Sequence, residues 1–439
     1  MTASAIQTTA TKEGLSELLD EARRRTLLLI STVSEQDLLA QHDPLMGPIM
    51  WDLGHIAHFE ELWLTRNLDG VVEFGEMPGM FNPFENPRKV RGSLALPTLE
   101  SMLATMADIR ERVLEKLETV DLDSSSQLLR DGYVYRMVVQ HEYQHNETIL
   151  QALQLKQGKF YSPPLRTTLP MPDLPAGVAS MNRFPGGVAE MGTADRAAAY
   201  DNERPRHQVR LDPFWMDILP VRNAEFMEFM RAGGYENRAY WSEAGLEWLA
   251  ESGASSPKYW FREGSDWITR SMDRVMPVDP QTPVCHVSYY EAEAFARFVG
   301  CRLPTEVEWE AAASWNPETG TKREYPWGDS PPQAGDANLD QLGFGAAPVR
   351  AYSNNRSPIG CYGMIGDVWE WTSSNFGAYP GYESFPYREY SEVFFGPDYK
   401  VLRGGSWATR PGAIRNTFRN WDFPIRRQIF SGFRCARDD

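Results

Sequence analysis

Proline is dense between residues 163 and 175 (Pro163, Pro164, Pro170, Pro172 and Pro175), and the chain changes character across that stretch. Proline lacks an N–H and breaks both helices and central strands, so no single element crosses it. Ahead of it lie four stretches with helical periodicity. Beyond it come Gly, Pro, Trp and short strand-like runs. A chain of 439 residues is also too long for one core. The expected organisation is α+β and multidomain: a four-helix bundle over 13–160, a linker over 161–177, and a loop-rich second domain over 178–439.

The first helical stretch runs from about Glu13 to Val33, with Leu15, Leu18, Leu19 and Ala22 on its apolar face. The second runs from about Ile49 to Leu68, with Leu53, Ile56, Phe59, Leu62 and Trp63 recurring at threes and fours. Residues 70–97 read as loop and hold a basic knot of Arg88, Lys89 and Arg91. Pro97-Thr98 opens the third, with Met102, Met106, Ile109, Val113 and Leu117 as its stripe. The fourth spans about Tyr133 to Leu155. Four helices of similar length suggest an up-down bundle. In the second half helical patterning is expected in two places only, Asn223–Arg231 and the pair Tyr289–Val299 and Thr305–Ser314. Thr305 and Glu308 form a capping box.

Composition narrows the function classes. Fourteen Trp and 18 Tyr favour an aromatic-packed, loop-rich second domain. A net charge of −16 disfavours nucleic acid and anionic membrane surfaces as partners. The four cysteines show no C-x-x-C pair, which suits a reducing compartment. The first twelve residues lack a signal-peptide design and are expected to be without fixed structure. No apolar run is long enough to span a bilayer. A cytoplasmic protein is expected.

Chemistry is concentrated in His141-Glu142-Tyr143-Gln144-His145. On a helix the two imidazoles share one face, a turn apart. A third imidazole, from His55 or His58 on the second helix, would complete a metal site in the bundle core. H-E-x-x-H is also the zinc-protease signature, but the continuation Asn146-Glu147-Thr148-Ile149-Leu150 lacks the Gly and His of the metzincin pattern. Three imidazoles fit zinc and Fe(II) alike, and spacing does not choose. Arg88 and Arg91 read first as a solvated loop, with a carboxylate fork as the second reading.

The second half carries several sharp strings. Among them are Arg302-Leu303-Pro304-Thr305-Glu306, Tyr325-Pro326-Trp327-Gly328-Asp329, Gly366-Asp367-Val368-Trp369-Glu370-Trp371, Leu402-Arg403-Gly404-Gly405-Ser406-Trp407 and Gly432-Phe433-Arg434. Together they resemble the formylglycine-generating-enzyme-like domain, a variant of the C-type lectin fold, over about 180–437. The first half resembles the DinB-like bundle through His55, His141 and His145. The two in this order, with the tail Phe418-Arg419-Asn420-Trp421-Asp422 and Pro424-Ile425-Arg426-Arg427-Gln428, resemble the ergothioneine-biosynthetic sulfoxide synthases.

That resemblance implies a non-heme Fe(II) on His55, His141 and His145. It implies hercynine, γ-glutamylcysteine (cysteine in another branch) and O2 as small-molecule substrates. Gln144 and Asn420 match residues around hercynine, with Trp421 in the same substrate-binding set. Arg88, Arg91 and Asp422 match residues that hold γ-glutamylcysteine. It also implies a tyrosine acting as proton donor, placed here in Tyr379-Pro380-Gly381-Tyr382, with Tyr379 preferred over Tyr382. One departure stands out. Formylglycine-generating enzymes bind copper through paired cysteines near the domain's C-terminus, whereas no second cysteine follows or precedes Cys435 closely in this sequence. A zinc hydrolase, a DinB-like thiol transferase and a lectin-like binding module remain alternatives at this point.

Overall fold

The computed structural model describes residues 10–69, 79–172 and 180–439. Part of the expected unstructured start (1–9), of the loop after the second helix (70–78) and of the linker and its boundary (173–179) lies outside the described residues. The start is ordered earlier than expected. Thr11 caps the first helix, its side chain accepting from the Gly14 N–H at 3.1 Å.

The first domain is built from α1 (Lys12–Ile30), the short α2 (Glu35–Leu39), α3 (Ile49–Glu61), α4 (Leu99–Thr119) and α5 (Tyr133–Leu155). A π-helical turn, Leu62–Arg66, extends α3, so its helical path reaches nearly as far as the periodicity predicts. α1 packs on α4 and α5, and α3 packs on the same two, which closes a ring of four long helices. Each buries the stripe that the sequence shows: Leu15, Leu19, Leu53, Ile56, Val113 and Leu150 are all nearly inaccessible.

Polar side chains also meet inside the bundle. Arg23 of α1, Glu60 of α3, Arg110 of α4 and Glu142 of α5 are buried together. Arg23 donates from Nε to Glu142 Oε1 at 3.0 Å and from Nη2 to Glu60 Oε2 at 2.5 Å. Arg110 donates from Nε to Glu60 Oε1 at 2.6 Å.

After α5 the chain crosses to the first strand of the second domain, Met181–Phe184. That domain holds several small sheets. One is four-stranded, with Trp369–Asn375 between Lys400–Arg403 and Ser431–Gly432, and Asn420–Asp422 on the far edge of Lys400–Arg403. The expected helices form at Asn223–Arg231, Tyr289–Phe298 and Glu306–Ser314, the last two with capping boxes. A further helix, Glu243–Ser252, was not expected. It buries only Gly245 and Trp248, and it is ended by Gly253 in the left-handed region, φ 60°.

The two domains share one continuous apolar core. Polar contacts fasten it. The buried Glu147 of α5 accepts from Trp369 Nε1 at 2.7 Å, Thr409 Oγ1 at 2.8 Å and Ser406 Oγ at 3.2 Å. No described helix is long and apolar enough to cross a membrane. Glu147→Ala would strand three buried donors. It is expected to cost roughly 3 kcal/mol of unfolding free energy in a denaturant titration. A loss under about 1 kcal/mol would mean that water replaces the carboxylate without penalty.

Candidate metal centre and substrate site

His55 comes from α3 and His141 and His145 from α5. Their ligand atoms all lie within 4.8 Å of one another, and among the described residues no other His, Cys, Asp and Glu group is this tight. Ring centroids are 5.0 Å apart for His55–His141, 4.9 Å for His55–His145 and 4.6 Å for His141–His145. The structure therefore places His55, rather than His58, beside the pair on α5. His58, three residues on, is half-buried beside Glu61 and Arg66.

Outer contacts orient the rings. His55 Nδ1 is 2.8 Å from the Phe81 carbonyl, and His145 Nδ1 is 3.2 Å from Asp52 Oδ1. Both Nδ1 atoms then carry the proton, leaving each Nε2 lone pair for a metal. Phe59 stacks on His141 at 3.7 Å and Trp51 on His55 at 5.0 Å. Burial drives His55 and His141 well below the ordinary 6.5, with the neighbouring imidazoles adding to it. Both are neutral at physiological pH, so a metal displaces no proton from them. The donor set fits a divalent metal that accepts three neutral nitrogens and keeps open positions.

Glu142 rules out the protease arrangement. It is turned roughly 100° around the helix from His141. It accepts from Arg23 and from Thr26 Oγ1, the latter at 2.7 Å. Both contacts hold it in the bundle core, so it is not the general base that H-E-x-x-H requires.

The second domain closes over the triad. Gln144 donates to Tyr200 OH at 3.1 Å and to Tyr390 OH at 3.0 Å. Tyr200 and Tyr390 stack at 4.2 Å, and the Trp421 ring meets Tyr390 edge-on at 5.8 Å. The Tyr387 ring lies 6.1 Å from Phe59 and 5.1 Å from Trp63. Gln144 and Trp421 thus meet at Tyr390, and Trp421 shares its strand with Asn420 and Asp422.

The expected tyrosines stand elsewhere. Tyr379 donates to Glu306 at 3.4 Å, under the Arg419 guanidinium, and Tyr382 donates to Asp201 at 2.8 Å. Their hydrogen bonds and ring contacts all lie within the second domain. The pair that reaches the bundle is Tyr387 and Tyr390, which has the same spacing and lies eight residues further on. The sequence offers two equivalent pairs in one loop, and only the folded loop separates them.

The basic knot is partly folded in. Arg91 is buried, its guanidinium 3.3 Å above the Trp51 ring and its Nε on the Asn86 carbonyl at 2.8 Å. Burial, aided by Arg88, pulls its pKa down to about 10. Across the site Arg426 Nε stands 3.3 Å from Asp422 Oδ1, and Arg88 acts on both residues through its charge. Arg426 Nη1 and Asp52 Oδ2 are buried without a hydrogen-bond partner among the described residues. An orphaned buried guanidinium N–H in such a cluster marks a place for an anion. Arg426, Asp52, Tyr387 and Tyr390 were missed in the sequence. Two left a signal there: Asp52, as an acid one turn before His55 on an apolar helix, and Arg426, inside the tail string from Pro424 to Gln428.

Cys301 and Cys435, well separated in sequence, line one cavity of about 860 Å³ with Asp217.

Residues 168–439 match the sulfatase-modifying factor enzyme 1-like domain family and residues 18–149 the DinB superfamily. A hercynine oxygenase of Mycolicibacterium thermoresistibile is 43% identical, covering 97% of this chain and 94% of that one. A hercynine oxygenase of Mycobacterium tuberculosis is 42% identical, covering 97% and 99%. An inactive C-alpha-formylglycine-generating enzyme 2 of Mus musculus is 32% identical, covering 58% and 85%.

Gly54 tests the outer contacts of the triad. A Cβ there would stand 2.2 Å from Phe81 Cε1, so Gly54→Ala must displace the residue whose carbonyl holds His55. Metal affinity is expected to fall about 10- to 100-fold, measured by titrating the apoprotein with Co(II). Unchanged affinity would show that the Phe81 carbonyl does not orient His55.

Proposed function

This chain belongs to the hercynine oxygenase family, and on that premise we propose that it joins a thiol to the imidazole of hercynine in ergothioneine biosynthesis, with O2 as oxidant. The thiol proposed is γ-glutamylcysteine. The thiol and the imidazole each lose one hydrogen. O2 takes four electrons; one oxygen ends in the sulfoxide and the other in water. The observation that carries this reading is the triad of His55, His141 and His145, with second-domain residues beside it that can hold polar substrates. Fe(II) is the metal proposed there, because zinc fits the same ligands but cannot supply the electrons with which triplet O2 reacts.

The rest is work for the chain's own side chains. Gln144 and Asn420, with the Trp421 ring beside them, are placed to orient hercynine. γ-Glutamylcysteine brings two carboxylates and one ammonium. Guanidinium forks from Arg88, Arg91 and Arg426 suit the carboxylates, and Asp422 suits the ammonium. Three neutral imidazoles leave the metal charge uncompensated, which favours the thiol as thiolate.

Proton donation is assigned to Tyr387 in place of Tyr379 or Tyr382, with Tyr390 beside it on Gln144. Burial first, then Tyr200 and Asp201, push Tyr387 well above 10. It therefore keeps its proton at neutral pH and can act as a general acid. All four cysteines are free thiols, which accords with the proposed cytoplasmic location.

Two expected outcomes test this reading. Arg88→Ala or Arg91→Ala removes a charge-assisted pair worth about 1.5–3 kcal/mol. The KM for γ-glutamylcysteine should rise about 10- to 100-fold, with little change for hercynine. An equal rise for both substrates would sink the arginine assignment. Tyr387→Phe should divert product from the C–S-joined sulfoxide toward oxidised thiol, read by mass spectrometry. An unchanged mixture would exclude Tyr387 as the donor.

A further inference from the structure

The loop between Phe376 and Tyr399 carries both Tyr387 and Tyr390, and it contains almost no regular structure. Its base is closed by Phe376 N–H to the Tyr399 carbonyl at 2.9 Å and Gly396 N–H to the Phe376 carbonyl at 2.9 Å. Such a loop positions a side chain only as well as something else grips it. The grip comes from a residue distant in sequence. Asp201, 1% exposed, sits on the 3₁₀ turn Asp201–Glu203. Its Oδ1 accepts from Ser391 Oγ at 2.5 Å, and its Oδ2 from Tyr382 OH at 2.8 Å and the Phe385 N–H at 3.1 Å. Asn202 donates to the same Ser391 Oγ at 3.0 Å.

The three donors flank Tyr387 on both sides, at 382, 385 and 391. One carboxylate therefore gathers the loop around the tyrosine. The neighbour Tyr200 stacks on Tyr390, so the same short segment sets both rings. No lysine or arginine forms an ion pair with Asp201 among the described residues. Its charge is held by these donors, against the burial that raises its pKa.

We propose that Asp201 is a positioning residue, whose carboxylate, clasped by Tyr382, Phe385 and Ser391, sets where Tyr387 and Tyr390 stand against the histidine triad. The inference rests on the reading of Tyr387 as proton donor, and it gives Tyr382 a role in place of the one its sequence position suggested. Asn at 201 keeps the size but turns one acceptor into a donor facing donors.

The test compares wild type with Asp201→Asn in the full chain loaded with Fe(II). Loop amides at 385–392 should exchange with deuterium at least tenfold faster, while α5 amides do not change. Co(II) affinity of the apoprotein should stay within twofold. The ratio of C–S-joined product to oxidised thiol should fall, in the direction of Tyr387→Phe, whereas general loosening would lower the rate and leave that ratio alone. If Asp201→Asn fails to fold, Tyr382→Phe and Ser391→Ala each remove one donor and should shift exchange and ratio by smaller steps in the same direction. Unchanged loop exchange overturns the proposal whatever the products. So does an unchanged product ratio when Tyr387→Phe moves it. If neither Tyr387→Phe nor Tyr390→Phe moves the ratio, the proton-donor reading fails, and exchange alone decides whether Asp201 holds the loop.

Discussion

Two arginines and two glutamates, one from each long helix, meet in the bundle core as Arg23, Glu60, Arg110 and Glu142. Removing any one would leave an uncompensated buried charge, so the four helices are tied to a single register. That register matters because Glu60 shares α3 with His55, and Glu142 shares α5 with His141 and His145. The axial offset that pairs the charges is the same offset that brings three imidazoles together. The quartet also turns Glu142 inward, which separates the two functions that H-E-x-x-H combines in a protease.

α5 serves three neighbourhoods at once. Glu142 belongs to the quartet and His141 and His145 to the metal centre. Gln140, Gln144 and Glu147 face the second domain, where they meet Arg415, the stacked tyrosines and Trp369. A helix buried nearly all round can carry Gln140, Glu142, Gln144 and Glu147 because each of these has a partner. A division of labour follows. The first domain provides the three imidazoles, Gln144 and the basic loop of Arg88 and Arg91, and the second domain adds Asp422, Arg426 and the aromatic rings.

The metal centre was legible because helix periodicity is local: residues four apart share a face wherever the helix goes. The choice of His55 over His58 was not, since either could face α5 until the packing of α3 was known. The tyrosine assignment shows the limit most clearly. Tyr379/Tyr382 and Tyr387/Tyr390 have the same spacing in one loop without periodicity, and the grip of Asp201 lies far away in sequence. The helix Glu243–Ser252 escaped notice because it is short and buries little, while the basic knot supported two readings until Arg91 was seen folded onto Trp51.

By itself the sequence determined two domains, the lengths of four helices, the shared face of His141 and His145, and the family through strings that need no structure to read. Each rests on neighbours within a few residues or on composition. Tertiary structure alone decided which histidine of α3 meets the pair on α5, the inward turn of Glu142 and the tyrosines that reach the bundle. Those are contacts between residues far apart in the chain, and their partners are fixed only when the helices and loops have packed.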